Sequence, residues 1–421
     1  MKNVIFKPFK PDGTIEAPPS KSDVHRAIIC AALSKGVCTI SPVALSDDIK
    51  ATIGCAEALG AETRLDNNVL TVDGTRVFQN KTASLDCRES GSTLRFFIPV
   101  AAAGGIDATF YGSGRLPERP IGIYTDALPE KGVSCVTGGG LPLHISGKLK
   151  SGVFKIPGNV SSQFISGLLF ALPLLDGDSD IVLTSPIQSA GYINMTIRTM
   201  SKFGIEVDMT DKGWHVRGKQ HYIPSNYTTD GDWSQAAFFL AAGAIGGKVT
   251  VNNVNIDSSQ GDRRMAALLR EFGAEVYQDG GLITVQKAHL SAIEIDASQI
   301  PDLVPVLAVC ACFAEGTTRI FNAERLRLKE SDRLKSTAAL LNGLGGKVKE
   351  LDGGLEITGV NELLGAQVSG CNDHRIVMSA AVCAAGCKGD IFCSDPLSIN
   401  KSYPDFYRDY SFIGGSAFFE E

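Results

Sequence analysis

The residues equipped for chemistry gather just ahead of apolar, helix-forming runs. In PPSKSDVHRAIICAAL, Lys21, Ser22 and Arg26 occupy the first turns before an apolar stretch. A helix start carries unpaired N–H groups and a partial positive charge, so cations there oppose the macrodipole unless an anion joins them. Lys21 and Arg26 therefore suit a phosphate or carboxylate; the blander alternative is a Ser20/Ser22 cap with solvated cations. CRESGSTLRFFIPVAA offers Gly91 and Ser92 as backbone N–H donors at a second start, with Arg95 one turn on, or else a plain capped helix with a surface arginine. Asn159-Val160-Ser161-Ser162-Gln163 places two hydroxyls and an amide at a third, a neutral cradle for oxyanions or simply two cap candidates.

Further charge lies in loops and at other starts. Gly112–Pro120 holds Arg115, Glu118 and Arg119 in a stiff loop, and Glu324–Arg333 is a dense run containing Lys329, Glu330 and Arg333. Such a run also reads as a solvated helix face with pairs one turn apart. Asp373-His374-Arg375 opens an apolar helix, and Lys401 stands in Asn400-Lys401-Ser402-Tyr403-Pro404-Asp405. The candidate acid and base are Asp302, in Ile300-Pro301-Asp302-Leu303-Val304, and Glu330, between Lys329 and Arg333. Asp302 could equally be an N-cap, and the two cations beside Glu330 would favour its ionised form.

These starts need a scaffold that repeats. Five segments share a helix end, a glycine, a short strand, a turn and a second strand. Their glycines, Gly60, Gly132, Gly204, Gly273 and Gly345, are separated by 72, 72, 69 and 72 residues. A glycine closing a helix suits a left-handed terminal residue. After each hairpin a helix rich in small residues begins, near Ser20, Ser90, Ser161, Asp232, Pro301 and Asp373. A glycine-announced strand and a second helix complete a βαβαββ unit, repeated six times. One unit cannot bury its own apolar faces, so units must pack together, three plus three.

The sixth unit lacks its hairpin, while Val4–Phe9, a Pro11-Asp12-Gly13 turn and Thr14–Ala17 are left over at the start. That N-terminal hairpin is predicted to close the last unit. The expected domains are 21–228 and 1–20 plus 229–421, in an α/β (α+β) fold. Two crossings between them would create a hinged cleft on which the helix starts converge.

Composition bounds the answer. The chain has 421 residues, 44% of them hydrophobic, and a net charge of −6, which predicts large cores and argues against nucleic acid as a partner. The first residues show no apolar signal core, and no apolar stretch approaches a membrane span, so a cytoplasmic protein is expected. Eleven cysteines, none in a CxxC pair, read as small buried hydrophobes.

Together PSKSDVHR, SGSTLR, ERPIG, SSQF, LKESDR, DHR and KSYPDF resemble, in order and across residues 2 to about 412, the motifs of the 3-phosphoshikimate 1-carboxyvinyltransferase (EPSP synthase) family of enolpyruvyl transferases. The resemblance implies a two-domain inside-out α/β barrel with three βαβαββ units per domain. It implies that Lys21, Ser22, Arg26, Ser161, Ser162, Gln163, Ser189, Asp302 and Lys329 meet shikimate 3-phosphate. Lys21, Gly91, Arg119, Gln163, Arg333, Arg375 and Lys401 would meet phosphoenolpyruvate. Asp302 would accept a proton, Glu330 would donate one, and Lys21 would join them in catalysis. No metal and no organic cofactor is implied, and because Gly91 is retained, glyphosate should inhibit. The chain departs from the family at Glu89 and Arg325, where many members carry Asn.

Two other readings compete. The sister transferases acting on a UDP-sugar usually have Asn after the first lysine and a cysteine in the mobile loop; here Ser22 follows Lys21 and Gly112–Pro120 has no cysteine. A non-catalytic anion-binding repeat scaffold would need the cations but neither Asp302 nor Glu330. The expected partners are the two small substrates of a monomer, with no nucleic acid and no membrane.

Overall fold

The computed structural model describes residues 2–420. They divide into two compact units: residues up to Pro18 together with those from Asp230 onward, and Pro19–Thr229. The Pro19–Thr229 unit contains helices α1 (Lys21–Leu33), α2 (Asp47–Ala58), α3 (Gly91–Gly104), α4 (Gly122–Ala127), α5 (Ser162–Ala171) and α6 (Ala190–Lys202). The other unit contains α7 (Trp233–Gly246), α8 (Met265–Phe272), α9 (Val304–Cys312), α10 (Arg333–Gly343), α11 (His374–Cys383) and α12 (Phe406–Phe412).

Each unit holds three four-stranded sheets of one plan. In one, Thr82–Asp86 runs parallel to Asp107–Tyr111, which pairs antiparallel with Leu143–Gly147, the second arm of a hairpin with Val133–Thr137. Strand residues alternate between buried and exposed, so each sheet has one face on the core and one outward. The first helix of each βαβαββ repeat behaves differently. All nine residues of α9 and all but the last of α7 are buried. A helix apolar on every side is stable only in an interior. Helices therefore fill the middle of each unit and sheets cover them, each unit around its own core. The five marker glycines all have left-handed φ, from 79° to 109°, which explains their spacing in the sequence. Nine of the eleven cysteines are buried among apolar neighbours. No helix among the described residues is long and apolar enough to cross a membrane.

The predicted N-terminal hairpin does not form. Strand β1 (Asn3–Phe6) pairs antiparallel with Ile391–Ser394 on one side and with Ala417–Glu420 on the other. Strand β2 (Asp12–Glu16) instead pairs in parallel with Lys248–Asn252, in a different sheet. The sixth sheet is thus completed by β1 and by a C-terminal strand that the sequence reading left unassigned. The physical reason is that β2 fills the parallel place ahead of Lys248–Asn252, as Thr82–Asp86 does ahead of Asp107–Tyr111. Asn226–Thr228 makes the matching pairing with Val37–Ser41 in the other unit.

Candidate active site

In the Pro19–Thr229 unit, helix starts bring one set of polar groups together. Lys21 is the first residue of α1, and its Nζ donates to Asp48 Oδ2 at 2.7 Å, in the first turn of α2. Arg26 lies one turn deeper and is buried. Its Nε donates to Thr196 Oγ1 at 2.8 Å, Nη1 to the Ser22 carbonyl at 2.6 Å and Nη2 to the Tyr192 carbonyl at 3.0 Å. Each terminal nitrogen of Arg26 keeps one further N–H. Burial lowers the Arg26 pKa to about 10, opposed first by Asp23, so it stays charged at neutral pH. Its guanidinium also sits over the Phe96 ring, 5.2 Å from the centroid.

Ser90 caps α3, and Gly91 is its first residue. The Gly91 backbone lies against two guanidinium groups: a methyl built there would be 2.7 Å from Arg95 Nη1 and 2.8 Å from Arg119 Cζ. Arg95 donates to Gln163 Oε1 at 2.8 Å and to the Pro120 carbonyl at 3.0 Å, and Gln163 Nε2 donates to Ser92 Oγ at 2.9 Å. Gln163 thus ties the start of α5 to the start of α3. Ser161 caps α5 by accepting from the Gln163 amide at 3.3 Å, with Ser162 as the first helical residue. Ser189 precedes α6 with a left-handed φ of 56°. Its loop is held to the one before α5, because the Gln188 amide donates to the Gly158 carbonyl at 2.9 Å. Glu89, where the family often has Asn, lies against Gly114 in the Gly112–Pro120 loop.

The other unit gathers a second set around Arg333, the buried first residue of α10. Arg333 Nη1 donates to Asp302 Oδ1 at 2.9 Å, Nη2 to Glu330 Oε2 at 2.6 Å and Nε to Asp373 Oδ2 at 2.8 Å. Burial alone would discourage its charge; Asp373, Glu330 and Asp302 outweigh that and hold its pKa above the usual range. Asp373 is fully buried and also caps α11, accepting from the Arg375 amide at 3.0 Å and from Ser331 Oγ at 3.0 Å. Burial would raise its carboxyl pKa, but the Arg333 charge lowers it below the ordinary value.

Asp302 sits among three cations. Besides Arg333, Lys329 Nζ lies 3.6 Å from Oδ1 and Arg375 Nη2 lies 3.7 Å from Oδ2. Arg375 Nη1 also donates to the Asp302 carbonyl at 2.8 Å. Asp302 does not cap α9; it lies in the one-turn helix Pro301–Leu303 that precedes it. Burial lowers the Lys329 pKa to about 8, with Asp302 opposing. Lys401 donates to the Asn372 carbonyl at 2.6 Å, immediately before Asp373.

Sequence reasoning missed three participants. Asp48 pairs with Lys21, but its Ser46-Asp47-Asp48 setting reads as an ordinary acidic first turn. Asp262 is buried against Ser234, and burial followed by the Asp302 charge pushes its pKa up to about 7. Asp373 opens the DHR motif, but its bond to Arg333 across 40 residues leaves no local signal.

Comparison with known proteins gives the chain's family. A family model described as EPSP synthase (3-phosphoshikimate 1-carboxyvinyltransferase) matches residues 7–410. A 3-phosphoshikimate 1-carboxyvinyltransferase from Clostridium novyi is 42% identical over 99% of this chain and 98% of its own length. One from Clostridium acetobutylicum is 44% identical over the same shares. Among solved structures, an EPSP synthase from Acinetobacter baumannii superposes with a TM-score of 0.83 over the whole of both chains, at 23% identity, which speaks for the fold.

Proposed function

The chain belongs to the EPSP synthase family, and from that premise we propose how its side chains divide the work. The reaction is transfer of the enolpyruvyl group of phosphoenolpyruvate to the 5-hydroxyl of shikimate 3-phosphate, with release of phosphate, in aromatic amino-acid biosynthesis. Shikimate 3-phosphate is held by Lys21, Ser22, Arg26, Ser161, Ser162, Gln163, Ser189, Asp302 and Lys329. Phosphoenolpyruvate is held by Lys21, Gly91, Arg119, Gln163, Arg333, Arg375 and Lys401. The enzyme works as a cytoplasmic monomer on these two small molecules.

Asp302 takes the proton of the attacking hydroxyl, whose oxygen bonds to C2 of phosphoenolpyruvate, while Glu330 delivers a proton to the methylene carbon. A tetrahedral intermediate results. Loss of a methyl proton and departure of phosphate restore the double bond and complete addition–elimination. Fixed cations offset the charge of two anions brought together.

The observation that carries this reading is that Arg333 binds both candidate carboxylates, Asp302 at 2.9 Å and Glu330 at 2.6 Å. One guanidinium thus holds the two carboxylates side by side, and anions arriving beside Arg333 and Arg375 meet the same positive charge. The test is phosphate release from phosphoenolpyruvate with shikimate 3-phosphate or another hydroxy acceptor. Release is expected only with shikimate 3-phosphate, and Asp302→Asn and Lys21→Met should each nearly abolish it. Full activity in either variant refutes that residue's role.

A further inference from the structure

Helices α1 and α2 are joined by two rungs one helical turn apart. Lys21 bonds Asp48, and four residues further along both helices His25 Nδ1 meets Thr52 Oγ1 at 2.6 Å. The second rung continues. Thr52 Oγ1 lies 2.7 Å from Thr93 Oγ1 on α3, and Thr93 Oγ1 donates to Ser90 Oγ at 2.7 Å. Ser90 Oγ also accepts from the Thr93 amide, which makes it the cap of α3 just ahead of Gly91. His25, Thr52, Thr93 and Ser90 are each at most 1% exposed, so the chain is shielded from bulk solvent.

We propose that His25 is a positioning residue: protonated at Nδ1, it heads a one-way hydrogen-bond relay through Thr52 and Thr93 to Ser90, which holds the Gly91 start of α3 in register with Lys21 on α1. The direction follows from counting hydrogens. A hydroxyl has one proton, and that of Thr93 goes to Ser90. The 2.7 Å contact between Thr52 and Thr93 must then use the Thr52 proton, and the contact with His25 must use a proton on Nδ1. The opposite tautomer would leave two oxygens in contact with no hydrogen between them. It would also bury an N–H on Nε2, which has no hydrogen-bond partner among the described residues. An imidazolium would do the same beside Lys21 and Arg26. In accord, burial, then Lys21 and Arg26, lowers the His25 pKa well below the ordinary value.

Register matters here because the margin at Gly91 is small. Its backbone already lies against the Arg95 and Arg119 guanidinium groups, closely enough that a single methyl would collide with both. A few tenths of an ångström at the cap of α3 therefore alters the place assigned to phosphoenolpyruvate, and the inference rests on that assignment.

Two measurements decide it. Nitrogen-15 chemical shifts of His25 in the intact wild-type protein should report a proton on Nδ1 and none on Nε2; a proton on Nε2 overturns the relay. Thr52→Val breaks the chain in mid-course and should raise KM for phosphoenolpyruvate about fivefold, the equivalent of one buried hydrogen bond. The dissociation constant of shikimate 3-phosphate alone should hold within about twofold, and Thr52→Ser should restore the wild-type KM. An unchanged KM in Thr52→Val, or no rescue by serine, overturns the positioning role. Arg119→Ala serves as a separate check. If it leaves KM for phosphoenolpyruvate unchanged, the assignment of this pocket fails, and the tautomer still tests the relay on its own.

Discussion

At the scale of the residue, Gly91 leaves no room for a side chain beside two guanidinium groups. Overfilling a packed site costs roughly 1–3 kcal/mol, and here the groups displaced are the Arg95 and Arg119 side chains. Gly91→Ala is expected to raise KM for phosphoenolpyruvate about tenfold while leaving that for shikimate 3-phosphate unchanged, as steady-state kinetics would read. Glyphosate should inhibit the wild-type enzyme; full activity at millimolar inhibitor would refute that. Lys329 supplies a pH dependence. Its pKa is lowered to about 8, so the cation is present below that pH and lost above it. For the free enzyme, kcat/KM should fall as pH rises through about 8, and Lys329→Arg should move that limb to higher pH. Stability should respond in the opposite sense. Because Lys329 binds its proton less tightly folded than unfolded, raising the pH through 8 towards the ordinary lysine value relieves a cost of burial. Denaturant midpoints at pH 7 and 9 in wild type and Lys329→Met would read that difference.

At the scale of the element, helix starts place the chemistry, and caps fix the starts. Asp332 caps α10 and so positions Arg333, while Asp373 caps α11 and so positions Arg375. Asp373 has a second role, because it is the fully buried counter-charge of Arg333. Removing one partner of such a pair strands the other. Asp373→Ala should therefore cost about 3–5 kcal/mol in urea unfolding, more than a lost cap alone, which is worth about 1 kcal/mol. A loss near the cap value would show that Arg333 finds other counter-charges. The capping roles of Ser90 and Ser161 were legible in the sequence because they act over three residues or fewer. The Arg333–Asp373 and Lys21–Asp48 pairs were not, since the partners lie 40 and 27 residues apart.

At the scale of the whole molecule, the two ends of the chain meet in one sheet. Strand β1 lies between Ile391–Ser394 and Ala417–Glu420, so it is an interior strand although it begins the chain. Deleting residues 2–8 should strip amide-exchange protection from Ile391–Ser394 and leave Val37–Ser41, in the other unit, protected. Equal loss in both strands would contradict that separation. The sequence reading placed this segment in the last unit but took β2 with it. Tight-turn chemistry at Pro11-Asp12-Gly13 suggested a hairpin, and the wider repeat overrode it, because Lys248–Asn252 needs a parallel neighbour.

The sequence by itself determined the six-fold βαβαββ repeat, the left-handed glycines that mark it, and the helix starts that carry Lys21, Gly91, Ser161 and Arg375. Each of these is local: periodicity, capping and turn geometry act within a few residues and leave a readable pattern. Only the tertiary structure decided which strand completes which sheet, that Arg333 joins Asp302, Glu330 and Asp373, and that His25 is linked to Ser90 through two threonines. Those outcomes depend on contacts between residues far apart in the chain, where burial strengthens each charge and hydrogen bond and no local spacing records the partner.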